Sequence, residues 1–319
     1  MGAIKSMAEN AAFRKPLILD FLKNNNEDIT TFDAIVGRGG LMRPISGGTY
    51  AVNEAMLEDL GSCKFGTHAS NLGGIIAHEI ASEIGVPSYI VDPVVVDEFE
   101  EIARISGHPE IKRRSIFHAL NQKAIAKRYA FEEGKEYEDV NVIVAHMGGG
   151  ITVGAHKQGR IIDVTNGYDG EGPFSAERPG ALPTIEVLRI FNEGKLGTFN
   201  EAYRTLTSRC GLIAYLGTND GLEVENRVKA GDKEAELVYR AMAYQVAKDI
   251  GAMATVLNGK VDAILLTGGI AYDKMFCGWI AESTSFIAPI KRYPGEDEMG
   301  ALSAGALRVL RGEEEVKSY

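Results

Sequence analysis

The sequence has little of several features that would identify a protein class at once. Its three cysteines, Cys63, Cys210 and Cys277, lie far apart in 319 residues, so they give neither zinc-ligand spacing nor an even set for disulfides. Positive charge is scarce too, because 34 Lys and Arg stand against 44 Asp and Glu, a net charge of −10. A surface of that sign disfavours nucleic acid or an anionic membrane as the main partner. We therefore expect neither of them.

Long apolar runs and several well-known motifs are absent as well. No run approaches the roughly 18 residues that a membrane helix needs, and residues 1–16 lack the apolar segment of a signal peptide. The sequence contains no GxGxxG, GxxxxGK[ST], HExxH or GxSxG, which removes four common enzyme signatures. These absences predict a cytoplasmic globular protein. With 319 residues, 45% of them hydrophobic, two domains are expected.

Among the features that are present, one glycine-rich stretch dominates. Two apolar runs, 142–147 and 151–155, flank Gly148, Gly149 and Gly150. This pattern predicts a buried strand, a tight turn and a second buried strand. Successive N–H groups in such a turn converge on an anion, usually a phosphate. The alternative is an ordinary glycine-rich hairpin in a core.

Charged side chains follow other predicted elements at places where α/β proteins build sites. Arg38 lies among glycines at the end of a strand within 32–40, and its planar fork suits a carboxylate. Asp92 ends a buried strand, where active sites of α/β sheets form. His118 begins a helix near two arginines, and Arg178 lies in the irregular loop 169–180. The alternatives are a surface arginine, a carboxylate that caps a turn and a packing histidine.

The rest of the chain alternates helices and strands. A glycine-punctuated polar loop is expected at 211–220, and the acidic cluster from Asp97 to Glu101 is expected on the solvated side of a helix. Thr267, Gly268 and Gly269 end another strand, where free backbone N–H groups suit a nucleotide. Helices are predicted at 11–25, 53–60, up to 84, 94–104, 118–131, 184–209, 232–257, from 274 and at 300–310. Strands are predicted at 32–40, 86–93, 142–155, 159–164, 261–271 and 286–290.

Taken together, these features fit phosphoryl transfer. That reaction needs positioning and positive charge around the moving group, usually completed by Mg²⁺. Two glycine-rich strand ends, isolated arginines, an aspartate and a histidine supply such an environment. The motif set of protein kinases is missing. The sequence therefore predicts a small-molecule kinase.

Four motifs, at 36–40, 115–119, 144–150 and 266–270, resemble in order and spacing those of the acetate kinase family, and in particular its butyrate kinases, within the sugar kinase/Hsp70/actin superfamily. The resemblance extends from about Phe13 to Leu310. It implies an α/β fold of two ribonuclease H-like domains that flank a cleft. Residues 1–93 with 300–319 would form the N-terminal acyl-kinase domain, completed by the C-terminal helix, and residues 94–299 the nucleotide-binding domain.

The resemblance also implies the activity. Family members run ATP + butanoate to ADP + butanoyl phosphate reversibly, with ATP and Mg²⁺ as cofactors. A short-chain carboxylic acid is then the substrate, and a homo-oligomer of two or more chains is expected. Two alternatives remain. The acceptor could be a related acid, namely acetate, propionate or a branched acid, or the protein could be a catalytically impaired remnant that still binds nucleotide.

Residue roles follow from the matched motifs. Arg38 would hold the carboxylate or the transferring phosphoryl group, and Asp92 would take the place of an essential active-site carboxylate. His118 would stabilise the planar phosphoryl transition state, and Arg178 would complete the clamp. Glu298 is expected to help place the metal, with Glu296 as a competitor. The resemblance implies a nucleotide-binding set of His146, Gly148, Gly149, Gly150, Asn219, Asp220, Thr267, Gly268 and Gly269.

Two departures from the family pattern carry further expectations. Family members begin with a strand pair that carries an Asn-Pro-Gly-Ser-Thr-Ser-x-Lys-like phosphate loop, and no such motif occurs in this sequence. The first domain is therefore expected to be incomplete at its N-terminus, with an exposed sheet edge. In addition, Gly40 stands where acetate kinases carry a branched apolar residue. A smaller residue there predicts room for a longer acyl tail.

Overall fold

The computed structural model describes residues 6–319, and the chain divides into two compact units. Unit 1 comprises Met1–Asp97 and Asp297–Tyr319, and unit 2 comprises Glu98–Glu296. The helices are α1 (Met7–Asn24), α2 (Glu54–Ser62), α3 (Asn71–Ile84), α4 (Ala119–Glu132), α5 (Thr184–Asn192), α6 (Phe199–Ser208), α7 (Leu212–Leu216), α8 (Gly221–Lys229), α9 (Lys233–Val256), α10 (Lys274–Thr284) and α11 (Glu298–Leu310).

The strands are shorter and fall into three sheets. Their bounds are β1 (Ile35–Arg38), β2 (Thr49–Ala51), β3 (Ser88–Val91), β4 (Ile105–His108), β5 (Ile111–Lys112), β6 (Asn141–Met147), β7 (Ile151–Lys157), β8 (Arg160–Val164), β9 (Ala263–Gly268), β10 (Ile290–Pro294) and β11 (Lys317–Ser318). Strands β4 and β5 form a separate two-stranded ribbon. Within residues 6–319, no helix is both long enough and apolar enough to cross a bilayer.

Unit 1 is built on a four-stranded sheet of order β1-β3-β2-β11. Strand β1 runs parallel to β3, whereas β2 is antiparallel to it. Helix α3 packs tightly on β1, because a Cβ atom on Gly37 would lie 2.6 Å from the carbonyl carbon of Gly73. Within the described residues β1 pairs with β3 alone. It is an edge strand there, and its four residues are partly buried.

Unit 2 contains a five-stranded mixed sheet of order β10-β9-β6-β7-β8. Strand β6 is antiparallel to β7 and parallel to β9. Alternate side chains of β6 enter two cores, since Ile143 packs with the residues of α9 and α10 while Val142 packs with those of α4. Met242 and Ile250 of α9 are completely buried, and each such side chain contributes about 1.5–3 kcal/mol.

Most predicted elements form, and side chains cap the start of several helices. Asn53 caps α2 by accepting the N–H of Met56, and Asp232 caps α9 by accepting two N–H groups. Helix α1 begins earlier than expected, at Met7, after Ser6 as its N-cap. Part of the stretch 1–9, expected to be a loose end, is therefore helical, and residues 1–5 lie outside the described residues. The predicted strand–turn–strand at the glycine stretch is confirmed as β6 and β7.

The predicted helix at 94–104 is wrong. The chain is irregular there and forms only a 3₁₀ turn, Glu101–Arg104, while Val95, Val96 and Phe99 are buried. The acidic cluster is not simply a solvated face either. Glu98 accepts hydrogen bonds from the buried Lys123 ammonium at 2.8 and 3.0 Å. An apolar spacing that resembled a helix period was thus produced by a non-regular segment.

The predicted helix α1 forms, but its apolar side chains are largely exposed, with Phe13 and Phe21 at 59% and 65%. Three further predictions need correction. The helix at 184–209 divides into α5 and α6, with Gly194 and Gly197 at positive φ between them. The loop 211–220 contains the short helix α7, and the strand expected at 286–290 starts only at its last residue, as β10. Strands β2 and β11 were not anticipated, because each has only two or three residues.

Candidate active site

In unit 1, Arg38 and Asp92 lie at the same end of two neighbouring parallel strands. Arg38 ends β1, its register partner Val91 ends β3, and Asp92 follows directly. The carboxyl ends of parallel strands meet at one edge of a sheet, which is where α/β proteins place ligands. The Arg38 guanidinium is about one-third exposed and pairs with the Glu298 carboxylate, Nη1 to Oε1, at 3.1 Å. Two residues predicted for different roles, substrate and metal, therefore contact each other.

Asp92 is held in an unusual backbone conformation. Its φ is +38°, a region that non-glycine residues seldom occupy and that recurs at functional sites. Its Oδ1 accepts the N–H of Gly48 at 2.7 Å, and its own N–H donates to the Gly48 carbonyl. The residue is 4% exposed. Asp92 is thus a buried carboxylate that the adjoining loop fixes at the strand end.

The reason offered for a wide acyl pocket at Gly40 is wrong. A Cβ atom on Gly40 would meet Asn71, whose Cα and amide N would lie 2.5 and 2.7 Å away. Asn71 starts α3 and accepts the N–H of Leu41 on its side-chain oxygen at 2.8 Å. Glycine at position 40 therefore makes room for the start of α3, not for a substrate tail.

In unit 2, three predicted site residues meet at one glycine. A Cβ atom on Gly150 would collide with the Nη1 of Arg178 and would lie 3.3 Å from the Cε1 of His118. The guanidinium approaches the backbone so closely that a side chain at position 150 would push it aside. The turn is closed by the N–H of Gly148, which donates to the Gly150 carbonyl at 3.0 Å. An imidazole and a guanidinium thus lie against the predicted phosphate turn.

The long loop that carries Arg178 is tied to this turn. Ser175 donates its hydroxyl to the Gly149 carbonyl at 2.7 Å and accepts the Arg178 N–H at 3.2 Å. The Arg178 guanidinium lies 5.5 Å from the centre of the Tyr168 ring. Its Nε is buried and has no hydrogen-bond acceptor among residues 6–319, and burial lowers the pKa of the side chain. A buried cation with an unused donor is suited to an anionic ligand.

A second imidazole lies behind the first. The rings of His118 and His146 stack with centroids 3.8 Å apart and planes inclined by 16°. His146 is 1% exposed, and its Nδ1 is 2.8 Å from the Oδ1 of Asn121. Its Nε2 lies 3.1 Å from a Glu296 carboxylate oxygen, although the direction is unfavourable for a hydrogen bond. Glu296 therefore stands at the glycine turn, whereas its competitor Glu298 pairs with Arg38.

The sequence interpretation missed a set of buried polar residues on the side of the sheet that faces α4. Helix α4 brings Gln122 to Thr152 of β7, with Nε2 of the amide 2.9 Å from the hydroxyl, and that hydroxyl is 2.9 Å from Nδ1 of His118. Gln122 also contacts His156. The signal was present, since polar residues or glycine occupy every second position from 152 to 156, between apolar neighbours.

The predicted nucleotide residues divide into those that line a cleft and those that support it. A cleft of about 440 Å³ is lined by Gly148, Gly149, Asn219, Asp220 and Gly269, together with Tyr239 and Asp273. Thr267 and Gly268 are not among the lining residues. Thr267 is fully buried and donates to the Gly295 carbonyl at 3.3 Å. Gly268 packs against the Met147 backbone, where a Cβ atom would overlap the carbonyl.

Comparison with known proteins supports the resemblance to the acetate kinase family. The model of the Acetokinase family matches residues 108–278, a little over half of the chain. Butyrate kinase 2 of Clostridium acetobutylicum is 60% identical over 319 residues, which cover all of this chain and 89% of that protein. Butyrate kinase 1 of the same organism is 57% identical over 307 residues, which cover 96% of this chain and 86% of that protein.

Solved structures agree at the level of the fold. Acetate kinase from Porphyromonas gingivalis superposes with a TM-score of 0.82 at 18% identity, over 93% of this chain and 84% of that one. A propionate kinase from Francisella tularensis gives a TM-score of 0.71 at 21% identity, over 90% of this chain and 82% of that one. The predicted α/β fold of the acetate kinase type is thereby confirmed. The family match includes His118, the glycine turn and Arg178, and the chain belongs to the Acetokinase family.

Proposed function

We propose that this chain is a short-chain fatty acid kinase, which transfers the γ-phosphoryl group of ATP to butanoate and runs in both directions. The observation that carries the proposal is the meeting of His118 and Arg178 at Gly150, in the same unit as the glycine-lined cleft. The identity of 57–60% to two proteins named butyrate kinase supports the choice of acid. The fold by itself would support many phosphoryl acceptors.

The residues of unit 2 would serve the moving phosphoryl group. Because the Gly148 N–H closes the turn, the backbone N–H groups of Gly149 and Gly150 would hold phosphate oxygens. The Arg178 guanidinium would neutralise charge on the equatorial oxygens, and His118 would donate a hydrogen bond to them. The buried and unused Nε of Arg178 supports this role. The domain around this turn would accordingly bind the nucleotide, as the sequence suggests.

The residues of unit 1 would serve the acid. The Arg38 fork would bind its carboxylate, after exchange of the Glu298 partner for the ligand. Asp92, fixed by the Gly48 loop, would orient the acid or the phosphoryl group. Deprotonated butanoate needs no general base, so positioning and charge are what the protein must supply.

ATP and Mg²⁺ would be the cofactors. Within residues 6–319 no group of three acidic, histidine or cysteine side chains could hold a metal by itself. That observation fits Mg²⁺, which proteins usually bind through one or two carboxylates together with substrate phosphates and water. Glu298, whose carboxylate is 30% exposed, would be such a ligand. When bound, the ion would offset negative charge between the nucleotide phosphates.

We also propose a homo-oligomer that works in the cytoplasm. Helices α5 and α6 support the first part, since Ile185, Leu188 and Phe199 are 73%, 59% and 74% exposed. Apolar side chains so exposed are often covered in an assembly. Light scattering of the purified chain should give at least a dimer mass, and a monomer mass would contradict this part of the proposal.

The direct test is acyl phosphate formation, trapped as the hydroxamate. Purified protein with ATP, Mg²⁺ and butanoate should give product, and kcat/KM should be higher for butanoate than for acetate, propionate or isobutanoate. A preference for another acid would replace butanoate and keep the reaction class. Nucleotide binding by calorimetry without turnover on any of the four acids would overturn the proposal and favour an impaired nucleotide-binding protein.

A further inference from the structure

Four hydrogen bonds, three of them buried and the last partly buried, lead from Tyr137 to His118, and their donors and acceptors can be assigned from chemistry. This series of hydrogen bonds passes from Tyr137 to His156, then to Gln122, Thr152 and finally His118. None of these residues except His118 was considered for function from the sequence. The assignment begins at Gln122, because its amide can be oriented without ambiguity.

The Gln122 amide nitrogen faces two oxygens of Thr152. It lies 3.2 Å from the Thr152 carbonyl and 2.9 Å from the hydroxyl. A carbonyl oxygen only accepts, so the NH₂ group must be on this side and Oε1 must be on the other. Oε1 is 3.1 Å from the Nε2 of His156. That ring nitrogen must therefore carry a proton.

His156 is consequently neutral with its proton on Nε2. It is completely buried, and burial together with the nearby Lys123 ammonium holds its pKa well below the ordinary value. A neutral ring has one proton, so Nδ1 is bare and accepts the Tyr137 hydroxyl at 2.7 Å. The Nζ of Lys123 is bonded to both carboxylate oxygens of Glu98.

The donor and acceptor roles of the Thr152 hydroxyl follow from its two partners, Gln122 and His118. Its oxygen accepts a proton of Gln122, and its only other partner among the described residues is the Nδ1 of His118 at 2.9 Å. Thr152 is 1% exposed, so bulk solvent does not take its proton. The hydroxyl therefore donates to Nδ1. The imidazole must then carry its own proton on Nε2.

A glycine in the middle of β7 also makes this series of hydrogen bonds possible. A Cβ atom on Gly154 would lie 2.5 Å from the Oε1 of Gln122. Glycine weakens a strand interior, so its presence there usually means that another group needs the space. Gly154 gives Gln122 its place between Thr152 and His156. The arrangement is accordingly a built feature of β7 and α4.

We infer that Tyr137, His156, Gln122 and Thr152 are positioning residues that hold His118 as a neutral imidazole with its proton on Nε2. His118 then acts as a hydrogen-bond donor, and Arg178 supplies the positive charge at Gly150. A charged His118 would add a cation between Arg178 and the stacked His146, and it would leave the Thr152 proton without an acceptor. The inference rests on the proposed function for its kinetic consequence only.

The test uses the whole chain with ¹⁵N-labelled histidine. Of the six histidines, His118 is assigned by the resonances lost in His118→Asn. At neutral pH its Nδ1 should have the shift of a bare nitrogen and its Nε2 that of a protonated one. Thr152→Val should convert this pattern into a mixture of tautomers, whereas Thr152→Ser, which keeps the hydroxyl, should preserve it. Thr152→Ala replaces the valine variant if that does not fold.

Kinetics provides the second measurement. Thr152→Val should lower kcat on the order of tenfold, the effect of one hydrogen bond to a reacting group, with KM for both substrates changed less than about twofold. Thr152→Ser should restore most of kcat. A doubly protonated or Nδ1-protonated His118 in the unmodified protein, or unchanged His118 resonances in Thr152→Val, would overturn the inference. The spectra need no turnover, so they decide even if butanoate is not the substrate.

Discussion

The two units hold their candidate site residues in opposite ways. In unit 1, Arg38 and Glu298 are each about one-third exposed and are joined by one ion pair. In unit 2, Thr152 and His146 are each 1% exposed and lie within a buried hydrogen-bonded set. Both groups can bind anions, but an exposed ion pair costs little to open, whereas a buried polar set is fixed before any ligand arrives.

The difference suggests a division of labour. Open charges such as Arg38 can exchange a side-chain partner for a substrate carboxylate. Fixed dipoles around His118 suit the transition state, because groups oriented in advance need no reorganisation during the reaction. Asp92 is the exception in unit 1, being buried and held by the Gly48 backbone. The comparison therefore predicts large kinetic effects in unit 2 and effects on ligand affinity in unit 1.

The largest effect is expected from Arg178→Ala. Its guanidinium lies against Gly150, and removal of an arginine that neutralises a transferring phosphoryl group costs about 10³-fold in kcat. Arg178→Lys, the matched control, keeps the charge but loses the fork and should recover only part of the rate. Hydroxamate kinetics would measure both. A loss in kcat below tenfold for the alanine variant would contradict the comparison, since Arg178 would then not be the main charge that unit 2 supplies to the phosphoryl group.

A pair of neighbouring glycines offers a finer test. Gly150→Ala would force the Arg178 guanidinium away, whereas a Cβ atom on Gly149 would meet nothing within 4 Å. We expect Gly150→Ala to lower kcat on the order of 100-fold. Gly149 lines the cleft, so Gly149→Ala should keep kcat and raise KM for the nucleotide. Equal kcat in both variants would contradict the close approach of Arg178 to the turn.

In unit 1, Glu298→Gln should act mainly on affinity. The Arg38 pair is too exposed to contribute more than about 1 kcal/mol to folding, so urea denaturation should change little. If Glu298 helps to hold Mg²⁺, the Mg²⁺ concentration for half-maximal rate should rise about tenfold or more. The control is Glu296→Gln, a change at the His146 contact of unit 2. A rise in the Mg²⁺ requirement in that variant alone would move the metal role to Glu296.

These predictions combine residues that the sequence located with residues that it did not. The glycine stretch, Arg38, Asp92 and His118 were found because each follows a strand or starts a helix with a clear pattern, and the corresponding elements form. The helix at 94–104 was wrong because burial of an irregular chain can imitate a helix period. Sequence spacing cannot reveal such a case, since only the tertiary contacts of Phe99 and its neighbours decide it.

The buried polar set was missed for a different reason. Gln122 and Thr152 are 30 positions apart, and nothing local to either residue indicates the other. Likewise, the contact of Arg178 with Gly150 depends on a long loop whose path is set by side-chain bonds such as that of Ser175 to Gly149. Local patterns specify elements well, whereas partners across loops require the folded chain.

The smallest expected effect concerns stability, and it tests whether unit 2 is as rigid as the comparison requires. The folded pKa of His156 lies well below 6.5, while in the unfolded chain it should be ordinary, about 6.5. Below pH 6.5 the unfolded chain therefore binds a proton that the folded chain does not. The free energy of unfolding should accordingly decrease as the pH is lowered. Between pH 7 and 5.5 the loss from this residue is about 1 kcal/mol.

The change can be isolated by comparing urea denaturation of the unmodified protein and His156→Gln at both pH values. The comparison also cancels the contribution of Asp249, which is the same in both proteins. Burial raises the pKa of Asp249 to about 6, so its contribution has the opposite sign, with stability gained as the pH falls through that value. His156→Gln should be less stable than the original at pH 7 but should lose about 1 kcal/mol less on acidification. The same loss in both proteins would mean that the His156 environment admits a proton, and the buried set would then not fix His118 before the ligand binds.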